Sequence, residues 1–290
     1  MASVDINGAR LEYFEDGRGD PLVLVHGSAS DYRTWHLQRG EFAEHFRVIT
    51  YSRRYHWPNA PIEKDADYSM AGHVSDLLEL LHFLGTRSVH LVGHSYGAYL
   101  CLVLATKEQR LVSSLVLAEP PAITLFVSDP PKPLELLKLL ATRPRTAAAI
   151  IKFGAKGVAP ASKAFRSGDI ETGIRTFGDA VFGRGRYRKL PESRKAQVHD
   201  NIANVEAELL GSGFMPLDTD QIRNIEIPTL LVNGEESIDL FHRLTDRLEE
   251  LLPHTERVEI PGASHMMHEN NASAYNAAVL AFIRKHRQEA

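Results

Sequence analysis

A serine at position 95 lies in a setting that could make it a nucleophile. It stands in the pattern Gly-x-Ser-x-Gly, present as Gly93-His94-Ser95-Tyr96-Gly97, with an apolar run before it and a helical pattern after it. A strand that turns sharply into a helix exposes the serine hydroxyl on a strained turn, and the flanking glycines let the two backbones approach closely. The start of the helix also favours negative charge beside the serine. Because strand and helix accompany the pattern, we predict that Ser95 is a nucleophile and not a structural serine.

A histidine near the end of the sequence is the candidate general base. His265 follows a Gly-Ala-Ser segment (262–264) directly after the last apolar run, where a flexible loop can bring its imidazole to Ser95. His268 is the alternative, but it lies one helical turn further on and would point in a different direction. A base must remove the serine proton before the hydroxyl can attack a carbonyl carbon. We predict that His265 is this base.

Two backbone N–H groups are predicted to bind the oxyanion that forms in such an attack. One belongs to Tyr96, the residue after the candidate nucleophile. The other is assigned to Ser28, which follows His26-Gly27 in the loop that leaves the first long apolar run. Because the backbone donates in both cases, the residue type at position 28 matters little. A plain tight turn at His26-Gly27 is the alternative interpretation.

The elements that must position these residues follow from short apolar runs separated by helical patterns. Helical patterns cover residues 72–85, 96–108 and 273–286, and residues on both sides of Asn7-Gly8 alternate as a β-hairpin does. Strands that alternate with helices predict an α/β fold, with a mostly parallel central sheet flanked by helices. Six runs rich in Val, Ile and Leu fit buried parallel strands, at residues 21–27, 46–52, 89–95, 113–120, 227–234 and 256–262.

Residues 121–215 interrupt this alternation, because they contain helical patterns without a convincing strand. We predict a helical cap, or lid, inserted into a core domain made of residues 1–120 and 216–290. Within this insert, residues 141–195 contain 13 Lys and Arg against 4 Asp and Glu. The excess is interpreted first as a solvated surface, and otherwise as a lid that attracts an anionic substrate or an acidic partner. Aromatic residues of the insert are expected mostly in its own core, and otherwise in a pocket wall: Phe153, Phe165, Phe177, Phe182, Tyr187 and Phe214.

The composition limits the class of protein. A net charge of −4 over 290 residues gives no sign of binding to nucleic acid or to an anionic membrane. No stretch reaches the roughly 18 apolar residues of a membrane span, and the first residues are acidic where a signal peptide is apolar. Cys101 is the single cysteine, which fits a reducing compartment, so we expect a cytoplasmic protein. The sequence shows no metal-ligand spacing and no phosphate-binding glycine loop, which predicts no metal and no cofactor, and it leaves the oligomeric state open.

Together these features resemble the α/β-hydrolase superfamily over nearly the whole chain. The family order of nucleophile, acid and base is obeyed by Ser95 and His265. In the segment YSRRYHWP, which lies where the family often has an Asp-x-Arg-Gly loop, Arg53 matches but Arg54 and Tyr55 depart from the small residues common there. The resemblance rests on the hairpin, on residues 26–28, on the motif 93–97, on the insert and on residues 262–265.

The resemblance implies an acid that orients the histidine, and here the sequence departs from the family. The usual aspartate would stand at position 237, after the run 227–234, where this chain has Ser237. Glu235, Glu236 and Asp239 lie close to that position but are out of phase with it. The acid must therefore come from one of these three residues or from another strand.

Glu119 is the acid that we predict. It follows a wholly apolar run and precedes two prolines, at the end of a second strand from which this superfamily can supply the acid. A lone carboxylate in that position needs a partner to offset the cost of burial. The placement resembles haloalkane dehalogenases with a displaced acid and zearalenone-type lactonases with a Ser–Glu–His set. Asp239 is the first alternative.

The resemblance and the residues imply a metal-free serine hydrolase that cleaves a small-molecule carboxylic ester or lactone through an acyl-enzyme. A serine nucleophile argues against dehalogenase or epoxide hydrolase chemistry, for which this fold uses an aspartate. Three alternatives remain open. They are a carbon–carbon bond hydrolase with the same triad, a cofactor-free dioxygenase with His265 as base, and a non-enzymatic ligand sensor.

Overall fold

A computed structural model describes residues 1–63 and 66–286 of the chain. These residues form an eight-stranded sheet in the order β1-β2-β4-β3-β5-β6-β7-β8. The pairs β1–β2 and β2–β4 are antiparallel, and all the other neighbours are parallel. The strands are β1 (Ala2–Ile6), β2 (Ala9–Asp16), β3 (Pro21–Val25), β4 (Arg47–Tyr51), β5 (Val89–His94), β6 (Val112–Ala118), β7 (Thr229–Gly234) and β8 (Thr255–Ile260).

The six apolar runs form β3 to β8, which confirms the mostly parallel sheet. Strands β5 and β7 are buried over their whole length, as expected for strands covered on both faces. Asn7 and Gly8 join β1 to β2 with positive φ values of 47° and 75°. Asn-Gly favours this backbone form, which matches the twist of hairpin strands.

The register of the parallel strands places their carboxyl ends side by side. Val25 of β3 pairs with Gly93 of β5, which in turn pairs with Leu117 of β6. Leu117 also pairs with Leu231 of β7. Residues that follow these four strands therefore meet at one edge of the sheet, where open α/β sheets commonly bind ligands.

Helices cover both faces of the sheet and fill the segment between β6 and β7. The helices are α1 (His36–Ala43), α2 (Met70–Phe83), α3 (Tyr96–Lys107), α4 (Pro133–Thr142), α5 (Pro144–Phe153), α6 (Ala159–Arg166), α7 (Ile170–Phe182), α8 (Glu192–Asp200), α9 (Ile202–Leu210), α10 (Thr219–Arg223), α11 (Asp239–Leu251), α12 (Met267–Asn270) and α13 (Ala272–Lys285). No helix in the described parts of the chain has both the length and the apolar composition needed to cross a membrane.

Two apolar clusters hold the sheet between its helices. Side chains of α2, α3, α10 and α11 pack on one face, and side chains of α1 and α13 pack on the other. Helix α3 is buried from Tyr96 to Ala105, which explains its lack of a polar face. Because α3 begins directly after β5, its first residues lie at the edge of the sheet where the parallel strands end.

Residues 121–215, between β6 and β7, contain helices α4 to α9 and no strand. A π-helical turn (Gly154–Val158) joins α5 to α6. The segment has apolar clusters of its own, and one of them continues onto α11 through Leu240, Phe241 and Leu244. These contacts attach the insert to α11, the helix that follows β7.

Candidate active site

The backbone at Ser95 has a strained conformation, with φ 53° and ψ −120°, between β5 and α3. Non-glycine residues rarely adopt this conformation, and it persists only where the surroundings fix it. A Cβ added at Gly93 would lie 2.5 Å from Ala98 Cα, and one at Gly97 would clash with the carbonyl oxygen of Val25. Both glycines are therefore required by the close approach of strand and helix backbones. The strand–turn–helix form predicted around Ser95 is present.

Glu119 and His265 are in direct contact. The Nδ1–H of His265 donates to Glu119 Oε2 at 2.6 Å, and the side chains are 2% and 0% exposed, respectively. The other carboxylate oxygen of Glu119 accepts from the Gly234 N–H at 2.9 Å and from Asn233 Nδ2 at 3.3 Å. Three donors thus compensate for the burial of the carboxylate, as a buried charge requires.

The ring of His265 is also held by its neighbours. Phe241 stacks on it with ring centroids 4.1 Å apart and planes at 12°. The main-chain carbonyl of His265 accepts a hydrogen bond from His94 Nε2 at 2.7 Å. Because Nδ1 is engaged with Glu119, a neutral His265 presents the lone pair of Nε2 as its base.

The other candidate acids bind other groups. All three are exposed, and each accepts from a partner at 2.7 Å: Glu235 from the Gly262 N–H, Glu236 from Arg186 and Asp239 from Arg243. The structure therefore places Glu119 against His265 and gives Glu235, Glu236 and Asp239 surface partners.

His268, the alternative base, lies in another environment. Its Nε2 is 2.8 Å from Thr34 Oγ1, and its ring lies 4.8 Å from that of Trp35. Burial lowers its pKa well below the ordinary value. It is a neutral core histidine on the α1 side of the sheet.

The loop after β3 lies against the nucleophile. A Cβ added at Gly27 would lie 3.0 Å from Ser95 Cβ, a tight contact, so glycine gives this backbone room beside the serine. Ser28, the next residue, lines the same cavity as Ser95 and His265. The predicted oxyanion donors of Ser28 and Tyr96 therefore belong to two backbone segments adjacent to the nucleophile.

A cavity of about 40 Å³ connects the nucleophile, the histidine and the insert. This volume holds roughly three water molecules, so a substrate of ordinary size does not fit the cavity as it stands. Of the aromatic residues of the insert, Phe177, Phe182 and Tyr187 line the cavity, whereas Phe165 is buried in the insert as expected. Helix α7 contributes more of the lining residues than any other element, through Ile174, Phe177, Gly178, Val181 and Phe182.

Arg194 of α8 also lines this cavity, and the sequence did not single it out. Its side chain is 6% exposed, and Nη1 donates to Ser30 Oγ at 3.3 Å. Glu269 is 3.8 Å away, and Nε has no hydrogen-bond partner among the described residues. Nη1 also donates to Gln197 Oε1, so the guanidinium lines the same cavity as Ser95 and is held there by neutral groups and one distant carboxylate. In the sequence it is one of many basic residues of the insert, and only its burial distinguishes it.

A second cavity, of about 830 Å³, lies on the opposite face of α7 and contains neither Ser95 nor His265. It combines small and apolar residues with most of the basic side chains of α5 and α7. Within the described ranges, the five basic side chains of the insert at this cavity form no ion pairs, and Asp179 and Asp239 also line the cavity. The basic side chains of the insert that line it are Arg145, Lys152, Lys156, Arg175 and Arg184.

These features occur in a chain that belongs to the α/β-hydrolase family, since residues 22–278 match the model of that family. It is 23% identical, over 96% of this chain and 95% of the relative, to (E)-2-((N-methylformamido)methylene)succinate hydrolase of Acinetobacter baylyi.

Solved structures show the same fold. A thermophilic esterase from Thermogutta terrifontis is 22% identical with a TM-score of 0.68, and the match covers 99% of both chains. The enol-lactonase from Burkholderia xenovorans LB400 is 18% identical with a TM-score of 0.67, over 98% of this chain and 100% of that one. At these identities the similarity to the solved structures shows only a shared fold. Membership of the α/β-hydrolase family identifies the chain as a hydrolase.

Proposed function

We propose that this hydrolase cleaves a carboxylic ester or a lactone through Ser95, His265 and Glu119. The observation that carries the proposal is the 2.6 Å hydrogen bond between buried His265 and Glu119, in a cavity shared with Ser95. The two solved relatives described as an esterase and an enol-lactonase support the same class of reaction.

The reaction proceeds through an acyl-enzyme. His265 Nε2 takes the proton of Ser95 as its oxygen attacks the carbonyl carbon, and Glu119 stabilises the imidazolium that forms. The N–H groups of Ser28 and Tyr96 bind the oxyanion of the tetrahedral intermediate. The imidazolium then protonates the leaving alcohol, and His265 activates water to release the acid.

Residues 121–215 act as a cap in this proposal. Helix α7 closes the cavity over Ser95, and Arg194 of α8 supplies a positive charge beside it. A carboxylate on the substrate could pair with this guanidinium, so we favour an anionic ester or lactone over a neutral one.

The test is covalent labelling followed by a substrate screen. A fluorophosphonate probe should add one label to the peptide that contains Ser95, and the wild type should hydrolyse p-nitrophenyl esters or lactones. Ser95→Ala should abolish both, whereas Ser237→Ala is the matched control and should retain both. Labelling that survives in Ser95→Ala would refute the assignment.

The Ser95→Ala variant and the substrate screen on the wild type together separate the alternatives. A cofactor-free dioxygenase with His265 as base would keep its turnover in Ser95→Ala. A sensor would show ligand-dependent thermal stabilisation without turnover in the wild type. A carbon–carbon bond hydrolase would act on vinylogous diketones and leave the ester and lactone panel untouched.

A metal requirement is tested separately. The proposed reaction uses protein groups alone, so EDTA should leave kcat and KM unchanged. Loss of turnover in EDTA, restored by a divalent metal, would contradict it.

A further inference from the structure

The peptide group between Gly27 and Ser28 receives two hydrogen bonds on its carbonyl oxygen. His26 Nε2 accepts from the Arg53 N–H at 3.0 Å, so the proton of this neutral ring is on Nδ1. That Nδ1–H donates to the Gly27 oxygen at 2.9 Å, and Nη2 of Arg53 donates to the same oxygen at 3.2 Å. The N–H of this peptide group is that of Ser28, one of the two proposed oxyanion donors.

Arg53 is fully enclosed between the core and the insert. Its side chain is 1% exposed, and Nη2 also donates to Glu208 Oε1 at 3.1 Å. Glu208 belongs to α9, is 7% exposed, and also accepts from the Tyr68 hydroxyl. The guanidinium lies 4.5 Å from the ring centroid of Tyr96, the residue that carries the second oxyanion donor. Arg53 therefore contacts the peptide group of one proposed oxyanion donor and the side chain of the residue that carries the other, and its charge is balanced by a carboxylate of the insert.

A peptide group is a single dipole, so a cation on its carbonyl affects its N–H. A hydrogen bond to the carbonyl fixes the peptide plane and polarises the N–H, which strengthens the hydrogen bond that the N–H donates by about 10–30%. Negative charge on the carbonyl oxygen of the substrate develops in the transition state. A stronger N–H donor therefore stabilises the transition state more than it stabilises the bound substrate.

We infer that Arg53 is a positioning residue of the oxyanion hole, which orients and polarises the Ser28 N–H, and that Glu208 couples this effect to docking of α9. The inference rests on the proposed function. When α9 is in place, Glu208 holds the guanidinium against Gly27. When α9 moves away, Arg53 loses its counter-charge and is no longer held against Gly27. The orientation of the Ser28 N–H is then less well fixed. The hydrolase is then fully competent only with its insert closed.

The experiment compares single and paired removal of these charges. Arg53→Met and Glu208→Leu each leave one buried charge without its partner and should destabilise the fold. The double variant leaves no unpaired charge and should recover most of the melting temperature. If Arg53 acts on the oxyanion hole, kcat in the double variant should stay about 10–100-fold below wild type, with KM changed less than about threefold.

A trifluoromethyl ketone that adds to Ser95 provides a readout that a merely structural role would not move. Its tetrahedral adduct carries the oxyanion, so its affinity should fall by the same factor as kcat in the double variant. The neighbouring buried pair Arg54 and Asp76 is the matched control, because it contacts neither Gly27 nor Tyr96. The double variant Arg54→Met with Asp76→Leu should keep both kcat and ketone affinity.

The outcomes separate this inference from the function on which it rests. A folded Arg53→Met, Glu208→Leu protein with wild-type kcat and ketone affinity would overturn the inference and leave the proposed function intact. A wild-type protein that neither hydrolyses esters or lactones nor binds the ketone would refute both.

Discussion

Glu119 occupies an unusual backbone position at the end of β6. Its φ is 47°, in the left-handed region, and two prolines follow it. This conformation costs of order 1 kcal/mol or more for a residue with a Cβ. The carboxylate, its N–H donor on Gly234 and the ring of His265 together compensate for that cost. The backbone is thus held in a form that directs the side chain at the histidine.

Replacement of this carboxylate by an amide should impair the reaction strongly. In Glu119→Gln the amide loses the charge that stabilises the imidazolium and favours the wrong tautomer of His265. By analogy with Asp→Asn in the serine-protease triad, for which about 10⁴-fold is typical, we expect kcat to fall by about 10²–10⁴. Asp239→Asn, Glu235→Gln and Glu236→Gln should each cost less than about tenfold, because their carboxylates bind surface groups.

Steady-state kinetics on proteins with matching circular dichroism spectra would rank these four variants. A crippled Asp239→Asn beside a nearly normal Glu119→Gln would place the acid after β7 and contradict the assignment.

Arg194 should set a preference for substrate charge. A hydrogen bond between charged partners is worth about 1.5–3 kcal/mol, so Arg194→Met should lower kcat/KM for a carboxylate-bearing ester by roughly 10–100-fold. Its neutral analogue should change by less than about threefold. Lys195→Met is the matched control, since Lys195 pairs with exposed Glu192 at the surface. Equal losses for both esters would show that Arg194 has only a structural role.

Among individual residues, the sequence pointed to those whose proposed role depends on their immediate neighbours in the chain. Ser95 was predicted from the strand, turn and helix around it. Glu119 was predicted because it is a single acidic residue at the end of a wholly apolar run. Arg53 was noted only as a match to a family loop, and Glu208 not at all. Their contact joins positions 155 residues apart, and no local pattern specifies a pair of that separation.

Among the elements, α7 separates two cavities of different character. Its residues Phe177 and Phe182 face Ser95, whereas Thr176 and Ala180 face the larger basic cavity. A helix can do this because residues three or four positions apart share a face. The side chains of α7 therefore limit the size of the acyl or ring group next to the nucleophile.

Truncation of Phe182 should widen the substrate range. Phe182→Ala opens the cavity beside His265, and one or more extra carbons are worth about 1–3 kcal/mol in such a pocket. We expect the ratio of kcat/KM for a bulky acyl ester over acetate to rise by about tenfold or more. Phe153→Ala, which opens the basic cavity instead, should leave that ratio unchanged. Competition between two esters in one reaction gives the ratio directly.

Helices and strands were largely predictable because each carries its own periodicity. The six apolar runs became β3 to β8, and the helical pattern at 72–85 became α2 with a two-residue shift at its start. The insert was predicted as helical, but the arrangement of α4 to α9 was not. Their packing depends on contacts between distant helices and with α11, which the periodicity of a single segment does not encode.

For the whole molecule, several buried histidines make stability depend on pH. Burial, with a further contribution from Arg53, lowers the pKa of His26 from 6.5 to about 3. Burial also lowers the pKa values of His56, His73, His94 and His268 well below 6.5. Each remains neutral in the folded protein at neutral pH.

The sign of the effect follows from where protons bind. Between the lowered pKa and 6.5, the unfolded chain binds protons that the folded protein does not, so the free energy of unfolding falls as the pH falls. For His26 the window runs from about 6.5 down to about 3. Each such group contributes about 1.4 kcal/mol per pH unit within its window. We expect a steep loss of stability from pH 6 to pH 4, measured by urea unfolding.

His73 offers a test of that account. Neither of its ring nitrogens has a hydrogen-bond partner among the described residues, so its replacement by leucine removes a titrating group at little cost. His73→Leu should reduce the pH slope of the unfolding free energy by about one proton. An unchanged slope would show that other groups dominate the acid sensitivity.

The position of Glu119 on β6 also bears on how this chain can evolve. With the proposed acid one strand away, the side chains of the turn after β7 (235–237) take no part in the proposed triad. Gly234 is different, because its N–H binds Glu119 and a Cβ there would clash with the carbonyl oxygen of Ser264. A random library at 235–237 should therefore remain mostly active. The backbone of that turn is fixed, because the N–H groups of Glu235 and Glu236 bind the carbonyl oxygens of Ile260 and Ala263. Its side chains can change, and with them the contacts to the insert and the substrate range.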